Sequence, residues 1–347
     1  MQQDNSFVIL HDYPDHDVEQ AWRGCLARVR IPYSYCAPEF FLEPLWAGKR
    51  PFAILSVDHA GKVLGVLTGL HEGRQVVCGN PFRSQVCIDK TANLTEVSRC
   101  LATGLLVEGR SAELASVFAW HWDSLDGFKD CGFRYRQTQG CVVLDLTLGP
   151  EALFSQFDEN RRRNIRHAIR NKVEVRPASS VDDIREFHRV YLAWRQTPRK
   201  RILGQEIPLA MWEGLFRLTS NRRFLLASHE GKVIASISLR FYAGGLLEFS
   251  SGCALEEYLY LRPHDLLQWR AIEWGCREGF LRYSLGGADE FHKRFGGTLV
   301  GMDRYRLDRS LLRHHDLTQF GIDLAAAALR KMPRPFEDSV RRFFGRV

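Results

Sequence analysis

The chain has 347 residues, 45% of them hydrophobic and 26% charged, enough for two cores of ordinary size and too evenly mixed for a disordered or fibrous protein. It has no run of 18 apolar residues to span a membrane, and its start, MQQDNSFVILHDYPDHD, carries acids where a secretory leader carries bases; a cytoplasmic protein is expected. The net charge of +7 rests on arginine, 39 of the 48 basic residues, which suits bidentate recognition of an anionic ligand and equally reflects a composition biased toward arginine.

In chain order, 7–10 reads as a strand, helical periodicity follows near 15–29 and 37–47, and strands at 53–57 and 63–67 flank a turn at His59. A strand at 75–78, a helix over 93–108, a strand at 115–120, a short helix near 122–129 and a strand at 142–146 complete the first half. In the second half, helical spacing of Phe157, Ile165, Ala168 and Ile169 leads to a strand at 173–175 and helices near 181–195 and 208–219. Strands at 224–227 and 233–241 form a hairpin about His229-Glu230-Gly231-Lys232, and Gly244-Gly245 turns the chain into a strand at 246–250. Pro263 opens an amphipathic helix that Gly279 closes. A strand at 281–285, Gly286-Gly287, a short helix at 289–295 and a strand at 300–307 follow.

Both halves thus run strand, two helices, three antiparallel strands, helix, strand, helix, strand. This order predicts an α+β fold with a mixed, mostly antiparallel sheet in each half. The string His-x-Gly-Lys-Val at His59 and His229, and Glu-Gly at Glu108 and Glu278, recur at one offset of 170 residues, the mark of a duplicated unit. The expected domains are 1–150, 151–310 and a helical basic tail over 311–347. Nine scattered cysteines without a C-x-x-C read as reduced thiols, so neither zinc nor disulfides are expected.

The element order is similar to that of the GNAT acyltransferase fold. The segments FDENRRRNIRHAIRNKVEV (157–175), RPHDLLQWRAIEWGCREG (262–279), SLGG (284–287) and FHKRFGG (291–297) resemble successive signatures of the FemAB-like acyltransferases, which are tandem GNAT proteins. The resemblance implies transfer of an acyl group from an activated donor to an amine on a cell-envelope or polysaccharide-related precursor, a small molecule or a lipid-linked one. Acyl-CoA or another thioester is one donor it implies; aminoacyl-tRNA, used to extend peptidoglycan precursor peptides, is the other. No metal is expected. A reading of another class is a non-catalytic module that binds an anionic saccharide or RNA.

Acyl transfer to an amine needs a proton acceptor, donors for the developing oxyanion and groups that hold the carrier. Glu248, a carboxylate in an apolar strand on one face with Leu246 and Ser250, is the candidate base; its alternative role is an ion pair with Arg240 across the hairpin. By resemblance, Lys293 contacts the reacting carbonyl or the carrier, with Asp289 and Arg294 beside it as substrate-binding groups. Arg262 and His264 open the long helix, where free amides favour anions. The Gln/Arg-x-x-Gly-x-Gly/Ala pyrophosphate loop of most GNAT enzymes is missing from GCALEEYLYLRPHD, which favours the FemAB-like branch and weighs against CoA. Arg199, in a loop with Arg195, Lys200 and Arg201, is a candidate for acceptor binding. Arg161, Arg162, Arg163, Arg166, Arg170 and Lys172 could grip a tRNA backbone, or form a solvated face paired with Asp158 and Glu159. They lack interleaved aromatics, so no stable nucleic-acid complex is expected. The basic, aromatic end of the tail suits either peripheral contact with an anionic membrane or packing back on a domain.

Overall fold

The computed structural model describes residues 5–123, 125–197 and 206–318. The first half comprises β1 (Ser6–Leu10), α1 (His16–Leu26), β2 (Arg50–Val57), β3 (Val63–Glu72), β4 (Gln75–Cys78), β5 (Val86–Ile88), α2 (Leu94–Glu108), β6 (Leu114–Trp120), α3 (Asp126–Asp130) and β7 (Arg134–Asp145). The second half comprises α4 (Pro150–Gln156), α5 (Glu159–Arg170), β8 (Glu174–Pro177), α6 (Val181–Arg195), α7 (Leu209–Arg217), β9 (Arg222–His229), β10 (Lys232–Phe241), β11 (Leu246–Ala254), α8 (Pro263–Arg277), β12 (Arg282–Ser284), α9 (Glu290–Lys293) and β13 (Thr298–Asp308). Local chemistry sets many of these ends. Asp15, Asn93 and Asp158 cap α1, α2 and α5 with their side chains, and Ser180 and Asp183 form a reciprocal capping box on α6. The repeated His-x-Gly-Lys turn joins two antiparallel strands in each half; in the second copy Glu230 (φ 50) and Gly231 (φ 77) make the left-handed two-residue turn that a tight hairpin requires.

The expected helix over 37–47 is instead a series of 3-10 turns, Ser34–Cys36, Pro38–Leu42 and Pro44–Trp46. Pro38 and Pro44 each supply no backbone N–H, so an α-helical ladder cannot run through them. β7 starts at Arg134, well before the expected 142, because its exposed polar arm finds a partner in β13 rather than in the core.

The strands form one sheet in the order β1-β2-β3-β4-β6-β13-β7-β12-β11-β10-β9-β8, with β5 paired to β3 off this path. The halves exchange their last strands. β13 lies antiparallel between β6 and β7, while β7 pairs with β12, so each half's sheet is completed by the other's final strand and runs across the expected boundary at residue 150. Gly140 permits this: a Cβ there would fall 1.7 Å from the Val300 carbonyl oxygen at the β7/β13 irregularity. Within the second half, Leu266, Leu267, Ala271 and Ile272 of α8 are buried in one core with Leu225, Ile237, Leu239 and Leu247 of the sheet. Each such side chain contributes about 1.5–3 kcal/mol of burial, which fixes α8 against β9, β10 and β11.

Candidate active site

β11 and β12 are parallel and stay in register only over Leu246–Glu248 and Arg282–Ser284. Beyond Ser284 the chain leaves through Leu285-Gly286-Gly287, whose backbone bonds to Val142 of β7, while β11 runs on to Ala254 against β10. The parallel strands therefore part into a fork. Along its β11 side the half-buried residues Phe249, Ser250, Ser251 and Gly252 have a backbone edge that β12 no longer covers. A bulge between Ser238 and Leu239 on β10 leaves Ser250 as the extra residue, a distortion that re-aims the strand at this point.

Close contacts frame the opening. A Cβ at Gly286 (φ 73) would meet the Phe249 carbonyl oxygen at 3.0 Å, one at Gly287 would meet the His292 ring at 2.6 Å, and one at Gly252 would meet His264 at 3.1 Å. The Gly-Gly loop and the first turn of α8 thus border the free stretch of β11, and α9 borders the loop.

At the base of the fork is a buried charge cluster to which both halves contribute. Arg240 Nε donates to Glu248 Oε2 at 3.1 Å, with 1% and 7% of the two side chains exposed, and Ser34 Oγ donates to the same oxygen at 3.4 Å. The Arg240 guanidinium stacks 4.0 Å from the centre of the Tyr35 ring. Arg222, 5.7 Å from the centre of the same ring, forms a second buried pair with Glu43. Burial pulls the Arg240 pKa down, but Glu248 and Tyr35 outweigh it and hold the group above its ordinary value. Arg222 and Arg83, by contrast, are drawn below theirs, by burial first, and for Arg83 next by the charge of Arg240. Tyr35 Oη, Glu43 Oε1 and Arg240 Nη2 are buried without a hydrogen-bond partner among the described residues. Such atoms cost free energy unless water or a ligand reaches them. Tyr35 and Arg83 also line a cavity of about 300 Å³ with Trp46, Lys49, Asn80 and Gln85. Cys141, near Ser284, Glu248 and Arg83, is pushed up to about 11 by burial, so it is a thiol at neutral pH and not a ready nucleophile.

The sequence-derived candidates separate. Glu248 is at the fork, and its pairing with Arg240 follows from the hairpin register, which places the two opposite each other. Lys293 is exposed on α9 and paired with Glu290 at 3.0 Å; the structure gives Glu248 and Lys293 separate partners. Asp289 caps α9, accepting from the His292 amide at 3.2 Å, and its carboxylate stands 2.7 Å from the ring Nδ1. Arg294 is exposed, and its carbonyl accepts from the Asp158 amide. His264 faces β11, and burial pushes it down to about 4, leaving a neutral imidazole. Arg262 is the exposed left-handed residue (φ 58) that ends the 3-10 turn Glu256–Leu261 and caps α8. That turn stands where a glycine-rich loop was sought. Arg199 lies outside the described residues, as does the tail beyond 318.

The basic run on α5 divides: Arg161 and Arg162 are held by the fold, while Arg163, Arg166, Arg170 and Lys172 are exposed. Arg161 is buried against Asp265, donates to the Phe291 carbonyl at 2.7 Å and packs on Phe291 and Phe295. Arg162 donates to the carbonyls of Ser155 and Phe157, and Arg163 to Asn160. The expected pairing with Asp158 and Glu159 is replaced by these contacts, since Asp158 spends its carboxylate on the cap of α5. Sequence reasoning missed Ser34, Tyr35, Glu43, Arg83 and Arg222, which come from irregular segments or a strand end with no motif to mark them.

Among the described residues the first half has no matching fork. Its β4 is four residues long against nine for β11. Gly79 (φ 89) turns the chain away and its amide bonds the Gln85 side chain, and β5 then pairs with β3. The loop made this way delivers Arg83 to the charge cluster of the second half.

Among the described residues no helix is long and apolar enough to cross a membrane. No curated protein matches the chain. Residues 155–294 match the family model for the acetyltransferase (GNAT) domain. Among solved structures the fold is similar to FemX, with a TM-score of 0.67 and 13% identity over 87% of this chain and 98% of that one. It is also similar to the C-terminal domain of a putative lysylphosphatidylglycerol synthetase from Agrobacterium fabrum, with a TM-score of 0.59 and 14% identity over 88% and 97% of the two chains. A tandem GNAT protein from the clavulanic acid biosynthesis pathway gives a TM-score of 0.54 and 12% identity over 88% and 99%. Residues 155–294 thus match the GNAT acetyltransferase domain model, and the fold as a whole is similar to that of tandem GNAT proteins.

Proposed function

We propose that the fork of the second half is the site of an N-acyltransferase that moves an acyl group from a thioester donor to an amine of a cell-envelope or polysaccharide-related precursor. The observation that carries this reading is the free backbone edge of β11 beyond Ser284. An extended carrier arm can add there as a further strand, its amides pairing with main-chain groups of Phe249 to Gly252 while its acyl carbon reaches the base of the fork. Glu248 accepts the amine proton at that base, with Arg240 and Ser34 holding the carboxylate in place. Arg83 and Tyr35 meet the acceptor from the first half; among the described residues Arg83 forms no ion pair, and it suits an anionic group on the acceptor. Lys293 and Arg262 serve the carrier at the outer edge.

A second reading, aminoacyl transfer from a charged tRNA, is favoured by one feature, the 3-10 turn and capping Arg262 in place of a glycine nest at α8. The names of the FemX and lysylphosphatidylglycerol synthetase neighbours are compatible with either donor. The test is transfer of labelled acyl groups from acyl-CoA and from aminoacyl-tRNA to a panel of amino sugars, peptide precursors and lipid amines. Product with wild type and its loss with Glu248→Gln support the reading; binding of a donor or acceptor with no transfer under any pairing leaves a non-catalytic binding module and refutes it.

A further inference from the structure

The sequence shows no regular spacing of histidines and cysteines, yet the fold assembles a ligand set in elements other than those of the fork. Glu113 precedes β6, and His314 and His315 follow β13; one ligand atom from each lies within 4.8 Å of the others. His315 Nε2 is buried, has no hydrogen-bond partner among the described residues, and stands 3.7 Å from Glu113 Oε2. That is too long for a hydrogen bond. It is close to the ~3.3–3.4 Å edge of a tetrahedron built on bonds of about 2.0–2.1 Å, the length of zinc bonds to imidazole and carboxylate. The His314 and His315 rings are 3.9 Å apart, so both can turn a nitrogen toward one centre.

An outer partner orients the carboxylate. Arg74 binds the other carboxylate oxygen, Glu113 Oε1, at 2.7 Å, which orients Oε2 toward the histidines as an outer partner of a metal ligand does. Arg306, Arg313 and Arg134 share the carboxylate of Asp316, at 3.3, 3.4 and 3.6 Å, which holds these arginines on Asp316 rather than on Glu113. Asp308 is close enough to His315 for their charges to interact.

We propose that Glu113, His314 and His315 bind a divalent transition metal of the zinc class, with a fourth position left to water. Two imidazoles and a carboxylate are a donor set that suits zinc and disfavours calcium or magnesium. The metal clasps the segment after β13 to the turn before β6, reinforcing the bonds from Arg309 to the Glu113 and Gly109 carbonyls. It thereby holds the exchanged strand in place.

The test uses the full chain without a polyhistidine tag, stripped with chelator and titrated with zinc by calorimetry and with cobalt by visible absorption. The expected result is one equivalent of zinc per chain, a saturable rise in Tm and a tetrahedral cobalt spectrum. His315→Ala and Glu113→Gln, folded by circular dichroism, should each weaken zinc binding by about tenfold or more. No stoichiometric binding, or binding of equal strength in a Glu113→Gln/His314→Ala/His315→Ala variant that remains folded, overturns the proposal.

Discussion

Glu248→Gln separates the structural from the chemical role of this carboxylate. The change keeps shape and removes charge, leaving Arg240, 1% exposed, without its counter-ion. It does so where Arg222 and Arg83 are close enough to Arg240 for their charges to interact, with Glu43 as the remaining carboxylate of the cluster. Removing one partner of a buried pair costs about 3–5 kcal/mol because the other charge stays desolvated. Replacing both by apolar groups of similar volume, as in Arg240→Met/Glu248→Leu, removes that penalty and should return stability to within about 1–2 kcal/mol of wild type. Urea denaturation of the wild type, Glu248→Gln and the double variant reads both numbers, and Arg240→Met and Glu248→Leu complete the cycle that gives the coupling. Acyl transfer should be lost in the single and the double variant alike, so stability and activity part company in the double. A Glu248→Gln protein within about 1 kcal/mol of wild type would refute the reasoning about the cluster.

Gly140→Ala puts a methyl group into the Val300 carbonyl and should destabilise the chain by about 3 kcal/mol or more, seen as a fall in the denaturant midpoint. Asp123, hydrogen-bonded by Tyr33 at 2.5 Å, is pushed up to about 7 by burial, with Asp303 adding to it. A raised carboxyl pKa gives stability that is lost as pH rises from 3.8 through 7, so Asp123→Asn should gain on wild type by about 2 kcal/mol between pH 5 and 8 in parallel denaturation series. For His264, lowered to about 4, the unfolded chain takes up the proton first, so stability falls as pH drops from 6.5 to 4; His264→Asn should flatten that slope by on the order of 2 kcal/mol. Lys293→Met removes only an exposed ion pair and should change stability by less than about 1 kcal/mol while lowering kcat for acyl transfer by about tenfold or more; unchanged kcat would remove Lys293 from the site.

Local order was legible wherever local chemistry decides it. The helix near 181–195 is found as α6, the His-x-Gly-Lys turns announce two hairpins, and the strand at 75–78 is found where its apolar run lies. Glu248 and its Arg240 partner were legible because a hairpin register is short-range. The exchange of β7 and β13 was not, since pairing between residues 134–143 and 298–306 leaves no periodic trace in either strand. Nor was the first half's share of the charge cluster, because Tyr35, Glu43 and Arg83 lie in turns whose positions depend on Pro38, Pro44 and Gly79 bending the chain. The basic run on α5 misled in the opposite sense: Arg161 looked like a surface group and is 4% exposed, because Asp265 and two phenylalanines enclose it.

Amide hydrogen exchange with and without donor tests the central claim, that the second half's fork alone receives the carrier. Coenzyme A and a charged tRNA would be added in separate experiments. Slower exchange at Phe249 to Gly252 and at the first turn of α8, with the 75–78 strand of the first half unchanged, is the predicted result for the true donor. Protection confined to the first half, or none at the fork with either donor at saturating concentration, would contradict it.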